Sequence, residues 1–155
     1  MADFPTYQNI VNQFRLACDQ HLAINTFEEG SIDRLDSLLQ NVKYTFAFLR
    51  PLQSTGMILN ANGVSGARSL NFEFYMMDIP QLTDTDVLKI QSQCEINIYD
   101  IIAYFNLGQS QQIEYVTLGS ILPLYESFND RVAGWVANIT VNTYATLDFC
   151  NFPKL

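Results

Sequence analysis

The longest run of helical periodicity in the chain, over residues 83–105, constrains the fold more than any other feature. Val87, Ile90, Cys94, Ile98, Ile101 and Phe105 recur at three- and four-residue steps, and Leu88, Tyr99 and Ile102 widen the stripe. This predicts one long amphipathic helix. Thr83 suits its N-cap, and Asp86 favours the positive end of the helix dipole. Such a stripe must be buried against a second layer.

The flanking segments supply that layer. Residues 69–78 alternate with Leu70, Phe72, Phe74 and Met76 on one face, which predicts a strand. Residues 43–49 alternate as well: Tyr44, Phe46 and Phe48 on one face, Lys43, Thr45, Ala47 and Leu49 on the other. That strand is expected to stop at Arg50, before Pro51. Beyond the long helix, Gly108 and a Gln-rich turn lead into a strand over 113–118. Residues 119–128, interrupted by Pro123, stay unassigned. After a turn at Asn129-Asp130, a strand over 132–143 places Ala133, Trp135, Ala137, Ile139 and Val141 together.

At the other end, residues 6–22 after Pro5 read as a second helix, with Tyr7, Ile10, Val11, Phe14, Cys18 and Leu22 on one face. Residues 27–30 read as a turn, and 33–40 as either a short helix or an irregular connection. The order predicts an α+β fold in which an antiparallel sheet carries two main helices on one face. A length of 155 residues suits a single domain over 1–155. Two segments stand apart from it. Residues 53–68 carry Gly56, Asn60, Asn62, Gly63, Ser65 and Gly66, so they read as a flexible loop or arm, although Met57-Ile58-Leu59 would suit a strand. A long loop between two strands suggests a task. Residues 145–155 read as an extended C-terminal tail.

Charge narrows the partners. Sixteen acidic and eight basic side chains give a net charge of −8. The cations Arg15, Arg34, Lys43, Arg50, Arg68, Lys89, Arg131 and Lys154 are scattered singly, whereas nucleic-acid binding needs them clustered. An acidic surface repels DNA and suits a wall that DNA slides past; it also simply keeps a protein in solution. No apolar run approaches 18 residues and Met1-Ala2-Asp3-Phe4 lacks the pattern of a signal peptide, so no membrane is expected. Cys18, Cys94 and Cys150 lie far apart, which argues against a disulfide framework or a zinc site and fits reduced thiols in a cytoplasm.

Chemistry-bearing groups are sparse. A catalytic triad would have to use His21, whose neighbours offer no nucleophile motif; a helix C-terminus suits it structurally. Asp84 and Asp86 belong at a helix start, and Glu28, Glu29, Asp33 and Asp36 lack the spacing of a calcium loop. Gly63-Val64-Ser65-Gly66 is not followed by Lys-Ser or Lys-Thr, so it is a turn and not a phosphate loop. We therefore expect no catalytic residue, cofactor or metal. The strands carry apolar side chains on both faces, with Tyr75 and Met77 opposite Phe74 and Met76. A loop of the chain or a neighbouring subunit must cover the second face.

The segment Ser127-Phe128-Asn129-Asp130-Arg131-Val132-Ala133-Gly134-Trp135, running through the last strand to Leu147-Asp148-Phe149-Cys150-Asn151-Phe152-Pro153, resembles the C-terminal part of small tailed-phage proteins of the head–tail connector, neck, tail-completion and tail-terminator kind. The strand over 70–77, followed by Asp78-Ile79-Pro80 and the long helix, fits the same layout. The resemblance implies a tail-terminator-like subunit of the virion, made in the host cytoplasm. It implies a homo-oligomeric ring, often of six copies or more, that joins portal, neck or tail proteins at the head–tail junction. DNA would pass through its channel without specific binding. On this reading the arm at 53–68 with Gly63, the cations Arg50, Arg68 and Arg131, the turn Asn129-Asp130, and Phe149 are candidates for contacts with other subunits or partners. The alternative is a soluble monomeric adaptor that binds a protein through its aromatic strand face.

Overall fold

A computed structural model describes residues 5–54, 56–80, 84–127 and 132–146. Along the chain they form α1 (Tyr7–Gln20), β1 (Thr26–Glu29), α2 (Ile32–Leu38), β2 (Phe46–Ser54), β3 (Ile58–Leu59), β4 (Ser65–Asp78), α3 (Asp84–Asn106), β5 (Tyr115–Ser127) and β6 (Val132–Thr146). The expected α+β class is what forms. The sheet order is β1-β2-β4-β6-β5, with β3 pairing to β4. Only β1 and β2 run parallel; the other pairs are antiparallel.

The spine is the β4–β6 pair, in register from Ser65 opposite Thr146 to Asp78 opposite Ala133. Its period of two sends Leu70, Phe72, Phe74, Met76, Ala137, Ile139 and Val141 to one face, where α1 and α3 cover them. Phe14 of α1 sits at the centre, with its ring 4.7 Å from Phe105, 5.6 Å from Phe74 and 6.2 Å from Phe72. A capping box at Thr6 and Asn9 starts α1. The indole N–H of Trp135 donates to the Gln91 carbonyl at 2.8 Å and seams β6 to α3.

On the opposite face, Leu35 and Leu39 pack over Phe46, Phe48, Tyr75, Met77 and Val132 in a second, smaller core. The parallel pairing explains its position, since the chain must cross over between β1 and β2 and lays α2 on the sheet as it does so. The second apolar face is thus covered by this chain's own α2.

Several expectations are corrected. Residues 27–30 are not a turn, because Thr26–Glu29 is strand β1. No alternation of its own marks it: β2 provides the ladder, Arg15 donates to the Phe27 carbonyl at 3.2 Å, and Arg34 donates to that of Glu29 at 2.8 Å. Pro51 does not end β2. Strand β1 stops opposite Leu49, so Pro51 lies where β2 has become an edge strand, and the register shifts between Pro51 and Ser54. Pro123 is tolerated likewise in the edge strand β5. The ambiguous 33–40 falls largely within a helix, α2, which begins one residue earlier at Ile32. Half of the stretch 53–68 is strand: Gln53 and Ser54 end β2, β3 lies within it, and β4 opens at Ser65 rather than at 69. Strand β6 runs on through Ala145 and Thr146, and the rest of the expected tail, 147–155, falls outside the described residues. In α1, Leu22 lies past the last turn and is fully exposed.

Candidate assembly surface

The residues singled out from the sequence do not converge. Arg50 lies directly opposite Glu73 and bonds its Oε2 at 3.0 Å, while the Tyr75 hydroxyl donates to the same oxygen at 2.6 Å. Burial and the Glu73 carboxylate disfavour the phenolate, so the Tyr75 phenol is pushed up to about 12. Arg68 donates to the Pro5 carbonyl at 2.9 Å and anchors the approach to α1. Gly63 occupies a turn with φ +72° and open space around it. Asn129, Asp130, Arg131 and Phe149 lie outside the described residues.

Gly63 belongs to the more informative feature, the hairpin joining β3 to β4. Its turn is closed by backbone bonds from Asn60 N–H to the Ser65 carbonyl at 2.7 Å and from Gly63 N–H to the Asn60 carbonyl at 2.9 Å. The Asn62 side chain accepts from the Val64 and Ser65 amides at 3.0 and 3.1 Å, an Asx-type turn. Asn60 donates to the Tyr144 hydroxyl at 2.9 Å and so fastens the turn to β6. At Gly66 a Cβ would lie 2.0 Å from the Ile58 carbonyl oxygen, so only glycine lets β3 come this close. This well-bonded turn holds aliphatic side chains in solvent: Ile58 is 75% exposed, Leu59 45% and Val64 46%. The sequence signal for it is a run without charge, since 51–67 holds no Asp, Glu, Lys, Arg or His.

Beside the hairpin, the part of the sheet face that α2 leaves open is paved with short polar side chains bonded to one another. Thr140 donates to Asn71 at 2.9 Å, Ser69 to Asn142 at 2.9 Å, and Asn138 to Ser120 at 2.7 Å. A shallow depression of about 410 Å³ lies here, lined by Leu52, Gln53, Asn71, Asn138 and Thr140 among others.

A second apolar surface lies on the outer side of α3. Leu88 and Tyr99, expected to widen the buried stripe, instead face solvent, whereas Ile102 packs on the core. At 100° per residue Leu88, Ile96 and Tyr99 form one strip, continued past the helix end by Leu107; Leu88 is 66% and Ile96 51% exposed.

The long outer edge of β5 is closed to strand pairing. The Asn106 amide accepts from the Val116 N–H at 2.7 Å and donates to its carbonyl at 3.0 Å, as a neighbouring strand would. Pro123 lacks an N–H, and the register shifts twice along the strand. These are the devices by which edge strands avoid accidental pairing.

His21, Cys18 and Cys94 have structural places. His21 caps α1: its Nδ1 accepts from the Ala23 N–H at 3.1 Å, which leaves Nε2 as the donor to Asp100 at 2.9 Å on α3. Cys18 and Cys94 are free and buried. Burial pushes the Cys94 thiol up to about 12 and the Cys18 thiol higher still, so neither is a thiolate nucleophile near neutral pH. Among the described residues, no group of three or more His, Cys, Asp or Glu side chains could hold a metal ion, and no helix is long and apolar enough to cross a membrane. No known family model matches the chain, and no curated protein matches it in sequence.

Proposed function

We propose that this protein is a structural virion subunit at the head–tail junction of a tailed phage. It forms or joins a ring that links portal or neck to tail and leaves a channel for DNA, and it acts by assembly rather than by catalysis. The observation that carries the assembly part is the β3–β4 hairpin. A chain that spends a bonded turn and a buried glycine on keeping Ile58, Leu59 and Val64 in water presents them to a protein partner. The location rests on the resemblance of the terminal segment through Gly134-Trp135 to connector and terminator proteins. Gly134 has a local reason to be there, since a Cβ would lie 1.9 Å from the Met76 carbonyl oxygen. The net charge of −8 with dispersed cations suits a channel that DNA crosses without sticking. An adaptor using the aromatic strand face would need another surface, because Phe46 and Phe48 lie beneath α2.

The test is native mass spectrometry of the protein alone and after co-expression with the portal, neck and tail proteins encoded beside it. A discrete ring, alone or on one of those partners, is the expected result. A monomer that binds none of them overturns the proposal.

A further inference from the structure

Three asparagines stand where sheets rarely place them. Asn71, Asn138 and Asn142 lie inside β4 and β6, the strands with neighbours along both sides, and asparagine is depleted in strands because its side chain competes for backbone hydrogen bonds. Register puts all three on the face that α2 leaves open, and each is bonded to a hydroxyl, those of Thr140, Ser120 and Ser69 respectively. Glu73, opposite Asn138, borders this stretch and is held by Arg50 at 3.0 Å. From there across Ser69, Asn71, Thr140 and Asn142 to Thr117 of β5 no side chain is charged, in a chain of net charge −8. We propose that this face binds an uncharged carbohydrate.

The match is one of hydrogen bonds and stacking. A sugar ring presents hydroxyls that both donate and accept, and between them a face of C–H groups. The Thr140 bond uses only the carbonyl of Asn71 and the Ser120 bond only the NH2 of Asn138. That leaves the Asn71 NH2 as a donor and the Asn138 carbonyl as an acceptor on two residues that line the same depression of about 410 Å³. A volume of that order suits a small-ligand site. The bonds among these side chains fix the amides before a ligand arrives, so little ordering remains to oppose binding. Tyr115 stands opposite Asn142, and Tyr144 lies two residues beyond Asn142 on the same face; their rings, 50% and 45% exposed, offer π-faces to sugar C–H groups. The strand rise sets Asn138 and Tyr144 about 20 Å apart, so the ligand is an oligosaccharide rather than a single sugar. A nucleic acid would need cations that this face lacks. A protein contact would need an apolar centre, and the exposed aliphatic side chains of this molecule gather instead on the hairpin and on α3.

The test screens the full chain on an array of neutral and acidic glycans and titrates the neutral ones it retains, as soluble oligosaccharides, by calorimetry. Neutral glycans should bind, and added NaCl should leave the affinity unchanged because no charge takes part. Asn138→Ala and Tyr115→Ala alter exposed side chains, so circular dichroism and melting should match the parent protein. Each should weaken binding about tenfold, the loss of one or two ligand contacts. Retention of no neutral glycan, binding that both substitutions leave intact, or binding confined to acidic glycans and lost in salt overturns the inference. So does a result in which no glycan binds while Asn138→Ala or Tyr115→Ala blocks assembly in native mass spectrometry, because the face is then a protein contact. The junction reading stands or falls apart from this one. Glycan binding by a protein that joins no portal, neck or tail component keeps the carbohydrate face and removes the junction, and a ring that forms from a protein blind to every neutral glycan does the reverse.

Discussion

Two glycines on the β4–β6 spine make the same steric demand and should fail in different ways. A Cβ at Gly66 would stand 2.0 Å from the Ile58 carbonyl oxygen, and one at Gly134 would stand 1.9 Å from that of Met76. Neither overlap is tolerable, so backbone must move in both Gly66→Ala and Gly134→Ala. What can move differs. Opposite Gly66 lies β3, a strand of two residues held by its pairing with β4 and by the turn bonds. Releasing it forfeits a few hydrogen bonds of about 0.5–1.5 kcal/mol each, in part regained from water, so Gly66→Ala should cost about 1–3 kcal/mol. Opposite Gly134 lies Met77, with Met76 next to it; both are fully buried near the end of β4, where that strand is paired on both sides, to β2 and to β6. Gly134 also has φ +153°, a conformation that costs an L side chain further. Nothing there can swing away, so Gly134→Ala should cost about 4 kcal/mol or more, at the upper end for single substitutions.

Urea unfolding measures the totals, and hydrogen exchange separates the mechanisms. Gly66→Ala should lose protection only around the hairpin, at about residues 58–66, whereas Gly134→Ala should lose it across β4, β6 and both cores. Equal costs, or a Gly66→Ala variant that loosens the whole sheet, would refute the idea that β3 is a separately releasable flap.

Three further outcomes follow from the packing. Phe14→Ala should destabilise by about 3–5 kcal/mol, because three other phenylalanine rings close around it; a cost below about 1.5 kcal/mol in urea melts would contradict that central position. The Tyr75 phenol, near 10 when unfolded and about 12 when folded, keeps its proton longer in the native state, so its contribution is intact below pH 10 and is lost as pH rises through about 10 to 12. Tyr75→Phe should therefore show a shallower alkaline fall in urea midpoint than the parent, and identical slopes above pH 10 would contradict it. Asn106→Ala strips the Val116 amide and carbonyl of their partners, so light scattering should show concentration-dependent association through the opened β5 edge; unchanged scattering would mean that Pro123 and the register shifts protect that edge unaided.

The elements that were legible in the sequence are those whose periodicity is long enough to outweigh local noise. α3 follows its apolar spacing, and β4 and β6 show their helix-facing residues, Leu70 to Met76 and Ala137 to Val141, by alternation alone. Strand β1 was not legible, being four residues long and made by a partner some way along the chain, and β3, two residues long, showed only in that Met57-Ile58-Leu59 would suit a strand. Pro51 misled because its effect depends on whether a second strand lies alongside, which only topology decides. Leu88 and Tyr99 misled because apolar character at helical spacing does not tell the covered side from the bare one. Hairpin segment 53–68 stood out for its turn residues, but the bare side chains of Ile58, Leu59 and Val64 were not foreseeable. Whether an aliphatic residue is covered depends on what the rest of the chain folds over it.

Trp135 is the chain's one tryptophan, and its tie to Gln91 places the sole indole fluorophore on the seam between α3 and β6. Its emission reports on that seam and is remote from the turn at Gly63. A red shift would signal that the helix has parted from the sheet, and an unchanged spectrum during assembly would show that the core stays closed while the hairpin engages. One intrinsic probe thus separates unfolding from docking without a label.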